Sequence, residues 1–280
     1  MIQYAAVSPF MALSTISSLM MIILSITNAN LRQRYPFQLI FILAILDFLW
    51  SLVSLIPVEL FENRVFCSLQ GALNQLFNMS DLLWTAFMSF ELYNVVYKDM
   101  PKLMYGYIKP LIFILIISTI TALIPWTLDV YKLAGAWCWI NKSKGPRKLE
   151  NLLLRILLFY GVAWIVMIWN TFVSVKLYFK LKYRFSRENK SIVNKLAFYP
   201  LILFICYCPI TISRIFEEAV EIPLWFHIFS ECMMMIEGIL NMIVYGFTDE
   251  VKVIIKQMIS RKGKASQYES NGVAMNLVAK

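Results

Sequence analysis

Carboxylates set in apolar surroundings are the residues of this sequence with the most chemistry to offer. Asp47 stands within FILAILDFLW, Asp81 and Glu91 within the stretch 67–97, and Glu231 and Glu237 within 224–247. An ionised acid at the centre of a bilayer costs at least about 2.5–3.5 kcal/mol. Each must face protein and be paired, protonated or bound to a cation. Three uses fit such residues: a hydrogen-bonded seam that aligns helices, a switch that responds to charge, or a path for protons or cations. Glu237, Asn241 and Tyr245 follow at i, i+4 and i+8, which puts them on one helical face. Counting turns places Asp47, Asp81 and Glu237 at similar depth, and no Lys or Arg falls there. Three carboxyls in one low-dielectric site cannot all be charged, so the site holds protons, a cation such as sodium at Asp47, or both.

The elements that must position these acids are membrane helices. The chain has 280 residues, 60% hydrophobic and only 15% charged, with a mean hydropathy of +0.66. A soluble domain of that size needs more charge to cover its surface. One span takes about 20 apolar residues, and seven are read: 4–27, 37–60, 67–97, 109–126, 153–179, 196–215 and 224–247. The third is the longest. Pro57, Pro110, Pro125, Pro200 and Pro209 fall inside spans, where neighbouring helices re-satisfy the freed carbonyls. MIQYAAVSPF has no basic residue before its apolar run, so it reads as the first span rather than a signal peptide. The fold class expected is an all-α membrane protein: a seven-transmembrane-helix bundle over 1–247, a short amphipathic eighth helix on the membrane surface over 248–264, and a disordered cytoplasmic tail over 265–280. The eighth helix rests on the stripe Val251, Ile254, Ile255, Met258 and Ile259, flanked by Lys252, Lys256 and Arg261.

The net charge of +9 belongs to loops rather than to a nucleic-acid surface. Arg64, Lys132, Lys142, Lys144, Arg147, Lys148, Arg155 and Arg214 fall on one side of the spans, and every other Lys and Arg falls on the opposite side. That bias places the N-terminus outside and the C-terminus in the cytoplasm. The five cysteines have no zinc or haem spacing. Cys67 and Cys138 both fall outside, where a disulfide persists; the alternative is two unrelated thiols. Cys206, Cys208 and Cys232 read as small buried hydrophobes. Asn141-Lys-Ser143 is a glycosylation sequon in the same outer loop as Cys138. His227 and Glu231, at i and i+4, are expected to pair with each other or to touch a ligand, with Arg214 and Trp139 at the same outer end.

LAILD, residues 43–47, resembles the second-helix motif of rhodopsin-like G-protein-coupled receptors. Cys206-Tyr207-Cys208-Pro209 resembles their sixth-helix Cys-Trp-x-Pro switch with Tyr for Trp, and Asn241-Met-Ile-Val-Tyr245 resembles their Asn-Pro-x-x-Tyr with Met for Pro. WCWI around Cys138 and LNMIVYG are similar to the cyclic-AMP-receptor-like group. The likeness covers nearly all of the chain and rests on the order of its motifs. It implies a receptor in the plasma membrane that binds a small extracellular ligand between helices three, five, six and seven and engages a heterotrimeric G protein. Glu91, Tyr93, Arg184 and Arg187 would lie on the G-protein face. The chain departs from the pattern at Leu92, where an arginine would follow the acid, and at the missing mid-helix tryptophan of the fourth span. The few residues before the first span leave no ligand-binding ectodomain.

Other seven-helix classes fit less well. A retinal protein needs a lysine within 224–247, and there is none. A membrane metal hydrolase needs several histidines, and there is only His227. Asp47 and Asp81 lack the glycine-rich context of an intramembrane aspartyl protease. Neither enzyme activity nor a cofactor is expected. The remaining alternative is a small transporter or channel that uses the buried acids as a proton or cation path.

Overall fold

The computed structural model describes residues 2–28, 33, 35–57, 64–97, 106–141, 148–184, 190–217 and 220–246. The helices are α1 (Ile2–Thr27), α2 (Tyr35–Ser54), α3 (Arg64–Tyr97) and α4 (Ile108–Thr127). A hairpin of β1 (Tyr131–Leu133) and β2 (Cys138–Ile140) follows. Then come α5 (Lys148–Arg155), a π-helical turn (Ile156–Tyr160), α6 (Gly161–Arg184), α7 (Lys190–Phe216), α8 (Leu224–Met235), α9 (Glu237–Asn241) and a second π turn (Met242–Gly246).

On α1 and α4 the burial pattern is the reverse of that in a water-soluble bundle. On α1 the inward stripe is Val7, Met11, Ser14, Ser18, Met21 and Ser25, while Leu13, Ile16, Met20 and Ile23 are exposed. On α4 the small residues Ser118 and Ala122 are buried, and Ile112, Phe113, Ile116, Ile120 and Leu123 point outward. Large apolar side chains outside and small or polar ones inside is the arrangement a lipid solvent selects, since close helix packing, not hydrophobicity, must hold the interior. Among the described residues five helices are long and apolar enough to cross a bilayer: Ile2–Thr27, Phe37–Ser54, Ile108–Thr127, Lys148–Lys180 and Leu224–Val244. A shorter apolar helix covers Ile202–Phe216. The chain is a helical, multi-pass membrane protein.

The 34-residue α3 has a different composition. Gln70, Asn74, Gln75, Asn78 and Asp81 are all buried, so this helix is shielded by protein rather than by lipid. It packs against α2, α4, α6 and both strands, and α8 and α9 return to α1 to close the bundle around it. Trp84, fully buried, ties α3 to α2 through an Nε1–H bond to the Leu39 carbonyl at 2.9 Å.

The second span ends earlier than expected. α2 stops at Ser54, leaving Pro57 beyond the helix. Gln70 explains the stop: its Nε2 donates to the carbonyls of Val53 (2.9 Å) and Ile56 (2.8 Å), so the free acceptors of a helix end are met by a side chain. The same amide's Oε1 accepts the Cys138 N–H at 2.9 Å, which joins α2, α3 and the hairpin at one residue. The segment holding Cys138 is more ordered than a plain loop. Its strands pair antiparallel, Tyr131 opposite Ile140 and Leu133 opposite Cys138. The Cys67–Cys138 disulfide forms across a Cα–Cα distance of 5.4 Å. The expected eighth helix, the tail and Arg187 lie outside the described residues, as do the side chains of Arg184 and Tyr245.

The π turn before Gly161 depends on that glycine. Gly161 N–H bonds to the Ile156 carbonyl, and a Cβ on residue 161 would sit 2.7 Å from that oxygen. Gly→Ala within a helix ordinarily gains roughly 0.5–1 kcal/mol, but overpacking costs about 1–3 kcal/mol, so the clash decides the sign. Gly161→Ala is expected to lower the thermal midpoint of the protein in detergent. An unchanged or raised midpoint would show that the turn does not need glycine.

Candidate functional site

At mid-depth, Asn241 Nδ2 donates to Asp47 Oδ2 at 2.9 Å, joining α9 to α2. Tyr207 Oη lies 2.8 Å from Asn78 Oδ1 and 2.8 Å from Glu237 Oε2, joining α7, α3 and α9. A phenol has one hydrogen, so one of these contacts runs the other way: the Asn78 amide turns its Nδ2 toward the phenol, or Glu237 carries a proton and donates it. Asp81 is fully buried and neither of its oxygens makes a hydrogen bond. Beside Asp47, a cavity of about 10 Å³ is lined by Ser18, Gly238 and Asn241 among others. Asp47 Oδ1 and Ser18 Oγ, both buried there, make no hydrogen bond. Among the described residues no group of three or more His, Cys, Asp or Glu is arranged to hold a metal ion.

A second polar cluster sits at the hairpin end. Arg155 and Arg214, placed by the sequence at the ends of the fifth and sixth spans, are 1% and 5% exposed. They are buried because carboxylates meet them: Arg155 Nη1 bonds Glu217 Oε1 at 2.5 Å, and Arg214 reaches Glu231 Oε1 at 2.9 Å and Glu217 Oε2 at 3.5 Å. Glu231 thus pairs with Arg214 rather than with His227, whose Nδ1 lies 2.8 Å from Ser213 Oγ. Both guanidiniums also hold the hairpin. Arg155 Nε donates to the Ile140 carbonyl at 3.0 Å, and Arg214 Nη2 donates to the Ala134 carbonyl. Trp139 Nε1 donates to Gln75 Oε1 at 2.7 Å, with its ring edge-on to Phe159 and Tyr160.

Under this lid the outer cavity is nearly closed. It measures about 10 Å³, the room of one water, and its walls include Asn74, Asn78, Trp137, Trp139, Tyr160 and Arg214. Asn78 therefore touches both clusters.

The remaining expected residues are dispersed. Cys206 is buried and Cys208, like Pro209, is half-buried on α7. Glu91 is buried on α3, and Tyr93 packs against Val173 and Leu177 of α6. Asn141 is half-buried at the end of β2, and its carbonyl accepts the Asn151 amide at 2.9 Å; the rest of its sequon lies outside the described residues. Sequence reasoning missed Gln70, Asn74, Asn78, Arg155, Glu217, Ser18 and Gly135. For α3 a signal existed, because Gln70, Asn74, Asn78 and Asp81 follow at spacings of four, four and three, one helical face.

No family model matches the chain. Over 81% of its length it is 23% identical to "G-protein coupled receptor 1" of Arabidopsis thaliana, covering 72% of that protein. It is likewise 23% identical over 81% of its length to "Cyclic AMP receptor-like protein A" of Dictyostelium discoideum, and spans 60% of that protein, less than two thirds. The fold makes the chain a multi-pass helical membrane protein. At 23% identity the chain is similar to two proteins named as receptors.

Tyr207→Phe tests the central contact. It keeps the ring and leaves Asn78 and Glu237 buried without their shared partner, which costs about 1–3 kcal/mol. The thermal midpoint of the variant in detergent should fall by several degrees. An unaltered midpoint would mean that the phenol contributes packing alone.

Proposed function

We propose that the chain is a G-protein-coupled receptor that passes the signal of a small extracellular ligand to a heterotrimeric G protein at the plasma membrane. In this reading α5 and α6 form one span and α8 and α9 another, which gives seven with the N-terminus outside. The observation that carries the proposal is the pair of buried polar clusters joined by Asn78. One lies beneath the hairpin, where a ligand would arrive, and the other lies at mid-depth across α2, α3, α7 and α9, where a change of contacts would alter how the helices pack. The distant receptor relatives support the same reading. Asp47, Asn241 and Glu237, together with Tyr245, form the switch in this proposal, and Cys206, Tyr207 and Pro209 are the segment of α7 that moves. Asp47 Oδ1 and Ser18 Oγ would hold a sodium ion or a water in the small cavity between them, in a resting state that activation collapses. The G-protein face would include Glu91, Tyr93, Arg184 and Arg187, and Asn141 would carry a glycan.

One observation favours the rival reading of a proton or cation path: Asp81, buried with both oxygens unbonded. Two measurements separate the readings. Membranes containing the chain are screened with small molecules for GDP–GTP exchange on added G protein, and proteoliposomes are assayed for proton and sodium flux. The receptor reading expects ligand-dependent exchange without flux, and flux without exchange would overturn it. Orientation is checked in the same cells: a tag inserted within 142–147 should be labelled on intact cells and a tag after Lys264 only after permeabilisation. Labelling of the tail on intact cells would invert the topology.

A further inference from the structure

The two outer ion pairs differ in what they hold. Arg155 and Glu217 brace the base of the hairpin, whereas Arg214 and Glu231 grip its turn. The Ala134 carbonyl accepts from Arg214 Nη2, while Glu231 Oε2, buried beside the turn, has no hydrogen-bond partner. One guanidinium and one carboxylate, 2.9 Å apart and both buried, thus hold an acceptor and leave one oxygen open to a donor, the two groups that any amide presents. Gly135 makes the fit possible. Its φ is +98°, and a Cβ there would run into the Glu231 carboxylate and come within 2.8 Å of Arg214 Nη2.

From this geometry we propose that the Arg214–Glu231 pair is an amide-binding site, filled in this structure by the hairpin's own turn, and that the ligand is a neutral, amide-bearing molecule that displaces it. The identity of the ligand rests on the receptor reading above; the amide site does not. Charge balance argues for a neutral ligand. Each buried guanidinium already has a carboxylate, so a ligand bearing one net charge would leave an unmatched charge in a site that excludes water. An amide gives Arg214 an acceptor in place of the Ala134 carbonyl and gives Glu231 Oε2 the donor it lacks. The walls suit a flat or apolar remainder, since Trp137, Trp139, Phe159 and Tyr160 line the adjoining cavity. That cavity, at about 10 Å³, admits no organic ligand while the turn is seated. Entry and displacement are therefore one event, with the Cys67–Cys138 bridge keeping the hairpin tethered to α3.

The test uses the full chain in lipid nanodiscs, with hydrogen exchange read over 131–141 and with acetyl-Ala-Gly-Ala-amide, the turn's own sequence, as the probe. Gly135→Val should unseat the turn and speed exchange at 134–137 at least tenfold, with the disulfide intact by peptide mapping. The opened protein should bind the probe saturably, while acetate and methylammonium at the same concentration do not. Adding Glu231→Gln to it should abolish probe binding. Arg214→Lys keeps the charge, loses the guanidinium fork and adds no bulk, so it should also speed exchange at 134–137 at least tenfold. Unchanged protection in both Gly135→Val and Arg214→Lys would overturn the clamp. Binding of acetate or methylammonium as tight as that of the probe would overturn the amide assignment. GDP–GTP exchange on added G protein is read on the same discs. Its absence with probe bound would overturn the receptor reading while leaving the amide site in place.

Discussion

A carboxyl group buried in a helical bundle has no water to fall back on, so its partners must come from the neighbouring helices, and this constraint organises the molecule. Asp47 finds Asn241, which sets α9 against α2. Glu237 finds Tyr207, which in turn meets Asn78, so α9, α7 and α3 are held at one level. An apolar interface between such helices slides and rotates at little cost, because lipid is as apolar as leucine. Polar contacts between named atoms do not allow that freedom. The relative setting of the helices is accordingly specified by a handful of polar residues within an otherwise apolar core.

The same constraint acts at the hairpin end with full charges. Arg155 and Arg214 are tolerated in a dry site only because Glu217 comes to them from just past the C-terminal end of α7 and Glu231 from α8. Each guanidinium has donors to spare, and the hairpin carbonyls use them. The lid is thus fastened by the groups that neutralise one another beneath it. A change in one part must reach the other, since removing the lid leaves donors unmet and breaking an ion pair frees the lid. Asn78, on the wall of the outer cavity and bonded to Tyr207, continues this dependence down to the acids.

Much of this was legible in the sequence, in uneven measure. The helices were written in the run of apolar residues, and the acids in them marked the interior at Asp47, Asp81 and Glu237. Cys67 and Cys138 were paired from their side of the membrane. For Arg155 and Arg214 only the side of the bundle was legible, because a basic residue near a span end looks the same whether it faces water or a buried carboxylate of another helix; its partner is set by tertiary packing. The hairpin escaped notice because two strands of three residues are too short to show an alternation. Gly135 was invisible for a related reason: its role depends on Glu231, nearly a hundred residues along the chain. Pro57 was placed inside a span because nothing local shows that Gln70 would end α2 before it.

The claim on which the rest depends is that a specific hydrogen bond between buried polar side chains, rather than general packing, sets the helices of the core. Exchanging Asp47 and Asn241 tests it most directly, through the thermal stability of Asp47→Asn, Asn241→Asp and the double variant in one lipid composition. Asp47→Asn leaves two amides face to face, and Asn241→Asp leaves two carboxyls. The expected result is that each single change destabilises the protein and the double variant regains most of the loss, with a coupling of about 0.5–3 kcal/mol. A double variant as unstable as the sum of the two single changes would contradict the claim.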